Sequence, residues 1–210
     1  MKPFPFGTGD RILFQGDSIT DCGRRGDPHG LGAGYPAVIK GFLAALAPEK
    51  RIEVLNRGIS GNRSNDLLAR WQEDCLDLAP THVSIMIGVN DIWHSNVGKG
   101  IPLSDYKSNM RRLIELTLAA RVKGLILMTP TTIDTDPNHE YNLRCAEYAA
   151  TIEGFAREYR CTLVKARDAM WAAVASGPSV EFYLPDGVHP SLPGHAVLAA
   201  VWLKALGILA

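Results

Sequence analysis

ILFQGDSITDCGR, residues 12–24, carries an apolar run straight into a glycine, an acid and a serine. The run shows no polar alternation, so it reads as a strand buried on both faces. Its abrupt stop at Gly16-Asp17-Ser18 has two explanations. Ser18 helps to cap a helix that begins there, or it is a nucleophile displayed at the carboxyl end of the strand. The tripeptide is compatible with both, so the rest of the chain has to decide.

Working outward, the same kind of run recurs. After RILFQ (11–15) come IEVLN (52–56), HVSIMIG (82–88), GLILMT (124–129) and TLVKA (162–166). All are short and mostly rich in Ile, Leu and Val, which suits strands covered on both sides. Helical patterns lie between them. Ser64 is expected to cap a helix with Leu67, Leu68, Trp71 and Cys75 on one face, and Ser104 one with Tyr106, Met110, Leu113, Ile114 and Thr117. Further helices are expected over roughly 140–159 and 193–206, the last with Leu198, Trp202 and Leu206 spaced by four. This alternation predicts an α/β fold. It is a three-layer α/β/α sandwich on a flavodoxin-like, doubly wound sheet of about five parallel strands, with residues 1–210 as one domain.

Composition narrows the function classes. The 210 residues hold 22 Lys plus Arg and 22 Asp plus Glu, a formal net charge of zero. No long basic run is present, so nucleic acid and anionic membrane surfaces are not expected partners. The start, MKPFPFGTGDR, lacks an apolar core of signal-peptide length, and the most apolar stretch, AVLAAVWLKALGILA, is too short for a bilayer and carries Lys204. Cys22, Cys75, Cys145 and Cys161 match no zinc pattern and read as reduced thiols of a cytoplasmic protein.

In open α/β sheets, ligands bind beyond the carboxyl ends of the strands. Those ends carry Gly16-Asp17-Ser18, then Gly58-Ile59-Ser60-Gly61-Asn62, then Gly88-Val89-Asn90-Asp91. A serine hydroxyl needs a base within hydrogen-bond reach and a third group to orient that base. Asp186-Gly187-Val188-His189 offers both on one segment. A carboxylate on one ring nitrogen fixes the tautomer and frees the other nitrogen for the serine proton. An oxyanion needs donors, and the N–H of Ser18, the N–H of Gly61 and the side-chain amide of Asn90 are the candidates. Asp17 is expected to hold the turn through backbone N–H groups, and Asp91 and Gly58 to serve turns. His195 is expected to pack or to bind backbone.

The blocks GDSIT, NRGISGN, GVND and DGVH resemble the SGNH, or GDSL-type, esterases and lipases, in order and along the chain from Ser18 to His189. The resemblance implies a serine hydrolase with Ser18, Asp186 and His189 as catalytic residues. It assigns Ser18, Gly61 and Asn90 to the oxyanion hole and implies no cofactor. GDSITDCGR, SIMIGVNDIW, LILMTP and VHPSLPGH are similar to the bacterial acetylxylan-esterase branch, which implies an acetylated xylo-oligosaccharide or related sugar as substrate and a homo-oligomer. Trp93, three positions beyond Asn90, then offers an indole face to a sugar ring. Asp17 and Trp93 are the substrate-binding candidates.

Alternatives stay open at this level: a short-chain lipase or thioesterase with the same machinery, or a non-catalytic nucleotide-binding module on a similar scaffold. GLGAGYPA (30–37) half-matches a dinucleotide fingerprint but does not follow a strand, so it reads as a loop entering a helix. Asp186, His189 and His195 lack a metal-ligand spacing, so no metal is expected.

Overall fold

A computed structural model describes residues 4–210. Five strands form one all-parallel sheet in the order β2-β1-β3-β4-β5: β1 Arg11–Gly16, β2 Glu53–Asn56, β3 His82–Met86, β4 Gly124–Met128 and β5 Thr162–Val164. Ile12 lies opposite Val54 on one side and His82 on the other. Each strand falls within two residues of the run that predicts it. The apolar runs at β3 and β5 extend beyond their ladders, because buried residues there continue into the next turn or helix.

The helices are α1 Ser18–Asp21, α2 Tyr35–Leu46, α3 Ser64–Ala69, α4 Trp71–Asp74, α5 Val89–Trp93, α6 Leu103–Ala119, α7 Glu140–Glu158, α8 Ala166–Ser176, α9 Val180–Tyr183 and α10 Leu192–Ala205. α10 packs between α2 and α8, while α6 packs against α3 and α7. The sheet separates these two layers, as the doubly wound pattern requires. The side chains of β1 point alternately to the two layers. Phe14 meets Tyr35 and Trp202, at ring distances of 5.6 and 5.5 Å, whereas Gln15 donates to the carbonyl of Asp74 in α4. Trp202 also donates to Ser84 of β3 at 3.1 Å. Such a hydrogen bond contributes about 1 kcal/mol net, against roughly 1.5–3 kcal/mol for burying one large apolar side chain. Burial of aromatic surface therefore holds α10 on the sheet, and the bond fixes the ring's orientation.

Two expected caps are corrected. Arg63, not Ser64, occupies the cap of α3; Ser64 sits at the first helical position and turns inward to Asp91. α6 begins after Pro102, with Ser104 inside the first turn and its hydroxyl on Asp105. In both cases a serine near a helix start satisfies a different partner from the one its position suggests. The helix starting at Ser64 also breaks at Arg70, so Trp71 belongs to a separate turn. α8 lies inside and beyond the fifth apolar run; its start is fixed by Arg167 N–H donating to Thr129 Oγ1 at 3.0 Å, a contact from another strand's end. Among the described residues no helix is long and apolar enough to cross a membrane.

Candidate active site

The last residue of β1, Gly16, has no room for a side chain, which would collide with Thr20 and with the backbone of β3 at Met86. The chain turns at once into α1, and Asp17 caps it by accepting the N–H of Ile19 at 3.0 Å. Asp17 is 2% exposed. Burial pushes its pKa up to about 7, against the pull of the Ile19 N–H. Its expected part in holding the turn is what the contacts display. Ser18 follows at the first position of α1, half-buried, just beyond the carboxyl end of β1.

Ser18 Oγ lies 2.9 Å from His189 Nε2, across 171 positions of sequence. His189 Nδ1 lies 2.7 Å from Asp186 Oδ2. The segment carrying both is itself turned by Asp186, whose Oδ1 accepts the N–H groups of Val188 at 3.0 Å and His189 at 2.6 Å. One carboxylate thus shapes the turn with one oxygen and orients the imidazole with the other. Burial alone would raise the Asp186 pKa, but the bonds from the His189 ring and from both backbone amides outweigh it and hold the group below its ordinary value. With Nδ1–H donating to Asp186, Nε2 is free to accept the Ser18 proton. This is the geometry that activates a hydroxyl as a nucleophile.

The three expected oxyanion donors are tied together through their neighbours. Asn90 Nδ2 donates to the carbonyl of Asn62 at 3.0 Å, one residue beyond Gly61, and its second hydrogen has no acceptor among the described residues. The N–H groups of Ser18 and Gly61 likewise meet no protein acceptor there. Gly61 has φ +80°, at the third position of a turn closed by Asn62 N–H to the Ile59 carbonyl at 3.1 Å. That positive φ at the third position is what a type II turn demands. Gly58 does more than serve a turn: a side chain there would strike the backbone of Thr20 and Asp21 in α1. Trp93 stands beside the site, its ring 6.1 Å from that of His189.

Other contacts lay outside what the sequence revealed. Asn56 Nδ2 donates to the carbonyls of Thr20 at 2.6 Å and Leu31 at 2.8 Å, and its Oδ1 accepts Gly58 N–H at 2.9 Å. Asp91, 0% exposed, accepts Ser64 N–H and the Ser64 hydroxyl. Burial, offset by those Ser64 bonds, raises its pKa to about 6. Asn56 and Asp91 lie in or beside the quoted motifs, but apart from Gly58 their partners named here are 25–36 and 27 positions away, where spacing carries no signal. A groove of about 870 Å³ runs between α6 and α7; none of the site residues lines it.

Comparison with known proteins bears on this geometry. The model of the GDSL-like lipase/acylhydrolase family matches residues 14–197, from the end of β1 into α10. The chain is 38% identical to an acetylxylan esterase of Geobacillus stearothermophilus over 96% of its own length and 95% of the relative's. The crystal structure of a catalytic serine-to-alanine mutant of that organism's acetylxylan esterase Axe2 superposes with a TM-score of 0.91 at 37% identity, covering 98% of this chain and 97% of that one. LAE5, an α/β hydrolase from the metagenome of Lake Arreo, Spain, superposes with a TM-score of 0.92 at 32% identity, over 99% and 100% of the two chains. Family model, sequence likeness and backbone agree across the same span, and the chain belongs to the GDSL-like lipase/acylhydrolase family.

Proposed function

We propose that this family member is a serine esterase that removes acetyl groups from xylo-oligosaccharides or related sugars through an acyl-enzyme. The observation that carries the reading is the unbroken hydrogen-bond relay from Ser18 Oγ to His189 to Asp186, at 2.9 and 2.7 Å. In this reading Ser18 Oγ attacks the ester carbonyl carbon while His189 Nε2 takes its proton. Negative charge develops on the carbonyl oxygen and is met by the Ser18 and Gly61 N–H groups and the Asn90 amide. As the tetrahedral intermediate collapses, the sugar hydroxyl leaves with the proton from His189. Water then attacks the acetyl-serine, giving its proton to His189 and releasing acetate and free Ser18. Asp186 stabilises the imidazolium formed in each half.

The sugar assignment rests on the likeness to acetylxylan esterases, and the exposure of the site supports it. The side chains of His189 and Asp186 are 41% and 53% exposed, so a bulky alcohol portion can reach the base. Trp93 borders His189 and offers a flat apolar surface for a sugar ring. The chain is further read as a homo-oligomer: the outward face of α2 presents Phe42 and Leu46, 41% and 52% exposed, and the only charged residue of that helix, Lys40, folds inward onto the Ile52 carbonyl. Four free thiols support a cytoplasmic site of action, which fractionation of the source cells tests.

Hydrolysis rates on acetylated xylo-oligosaccharides, acyl-CoA thioesters and nitrophenyl esters of increasing chain length test the substrate. Acetylated sugars should be the best substrates; a preference for long acyl chains or thioesters overturns the sugar reading. Fluorophosphonate labelling with EDTA present should be lost in Ser18→Ala. Well-folded wild type that resists the label overturns the nucleophile and favours a binding module.

A further inference from the structure

The turn that offers the Gly61 N–H stands at the surface, where Ser60 and Gly61 are both exposed. An exposed turn has a weakness as an oxyanion donor. Its central peptide, Ser60–Gly61, can rotate as a unit, and that rotation interconverts type I and type II turns and reverses the N–H direction. A donor that must rotate into place at the moment of reaction loses the advantage of preorganisation. Something has to hold this peptide.

Asp21, the last residue of α1, does so. Its Oδ2 accepts both the Ser60 N–H at 3.1 Å and the Ser60 hydroxyl at 2.9 Å, while Oδ1 accepts Arg24 N–H at 3.2 Å. Arg24 in turn donates from Nε to the Gly58 carbonyl at 2.6 Å, and Ile59 N–H donates to the Gly16 carbonyl at 3.1 Å. On the far side of the turn, Asn62 Oδ1 accepts Arg70 Nε at 2.7 Å. Ser60, whose carbonyl forms the donor peptide with the Gly61 N–H, therefore has both its own N–H and its hydroxyl anchored on one carboxylate. That carboxylate sits three residues after Ser18 on the same short helix.

We propose that Asp21 is a positioning residue for the oxyanion hole: it locks the turn carrying Gly61 to the helix carrying Ser18, so that nucleophile and donor form one rigid body. The proposal rests on the reading of Ser18 as nucleophile and Gly61 as donor. It differs from a general structural role in what it predicts. A loosened donor penalises the transition state and leaves substrate affinity and fold alone.

The test compares wild type with Asp21→Ala, Asp21→Asn and Ser60→Ala, using an acetyl ester and its thionoester counterpart, whose C=S is a poor partner for an oxyanion hole. Removing an oxyanion donor outright costs about 10²–10³-fold in turnover. A donor left mobile should cost part of that, roughly 10–100-fold in kcat for Asp21→Ala, with KM within about twofold. Asp21→Asn keeps an acceptor oxygen and should recover part of the loss, and Ser60→Ala, which removes one of the two anchors at an exposed site, should lie between. The oxo-to-thiono rate ratio should fall in step with kcat. Unchanged kcat in Ser60→Ala and Asp21→Ala overturns the proposal. So does a loss of kcat at constant oxo-to-thiono ratio, or one that merely follows a lowered melting temperature. Failure of the underlying reading is seen separately, as Ser18→Ala that hydrolyses the ester as fast as wild type.

Discussion

His189 and His195 lie six positions apart on one connected segment, yet their surroundings give them opposite properties. His189 has an exposed ring with one nitrogen on Asp186 and the other on Ser18. His195 is 4% exposed; its Nδ1 accepts the Tyr35 N–H at 3.1 Å and its Nε2 faces Cys22 Sγ at 3.4 Å. An imidazole that accepts at Nδ1 carries its proton at Nε2, so the neutral form suits this place. Burial, and then the nearby His189, lower its pKa from 6.5 to about 4. Because the folded-state pKa lies below the unfolded one, the stability His195 contributes is present above pH 6.5 and is lost as pH falls toward 4. In urea unfolding between pH 7 and 4.5, His195→Gln should lose about 2–3 kcal/mol less than wild type; equal losses would show that the ring takes up its proton equally in the folded and unfolded states. Sequence suggested a packing or backbone role for this histidine, and Tyr35 is the backbone partner it could not name.

Helix starts show where local pattern stops being informative. Ser64 and Ser104 both stand where a capping serine is expected, and neither caps with its side chain. Hydroxyls at the cap and one or two residues inside it follow the same local pattern. What separates them at Ser64 is the buried Asp91 carboxylate, brought in from the end of β3 by the parallel pairing of β1 with β3. An anion at a helix N-terminus also meets the favourable end of the helix dipole. Asp91→Ala should leave the Ser64 amide and hydroxyl buried without their acceptor and lower stability by about 1–3 kcal/mol, read as a shift of the urea midpoint. Because Asn90 is the preceding residue on α5, activity should fall as well. An unchanged midpoint would mean that solvent replaces Asp91 at no cost. The strands, by contrast, were legible almost residue for residue, since burial on both faces of a parallel sheet leaves long apolar runs that no surface helix shares.

At the scale of the molecule, the strand order β2-β1-β3-β4-β5 places β1 and β3 side by side, so the first and third strand ends open onto the same edge. The connection from β5 through α8 and α9 then carries residues 186–189 back over that edge before α10 returns to pack beside α2. This layer also exposes two large apolar side chains close together on one helix, Phe42 and Leu46 of α2. If α2 forms a self-association face, sedimentation should give a dimer or larger assembly for wild type at micromolar concentration and a smaller species for Phe42→Asp. A wild-type monomer would remove oligomerisation from the reading.

The amino-acid sequence by itself determined the parallel α/β architecture, because strand burial, strand length and helical period are local properties written in neighbouring residues. It also carried the candidates Ser18, just after β1, and Asp186 and His189, just ahead of α10, as short blocks. Tertiary structure alone decided which polar groups satisfy one another, in the interior Asp91 with Ser64, Asn56 with α1 and His195 with Tyr35, and at the surface Asp21 with Ser60. Each of these pairs joins residues between 27 and 160 positions apart. A hydrogen bond needs its partner within about 3 Å, and only the closed fold sets distances of that order between segments so far apart along the chain.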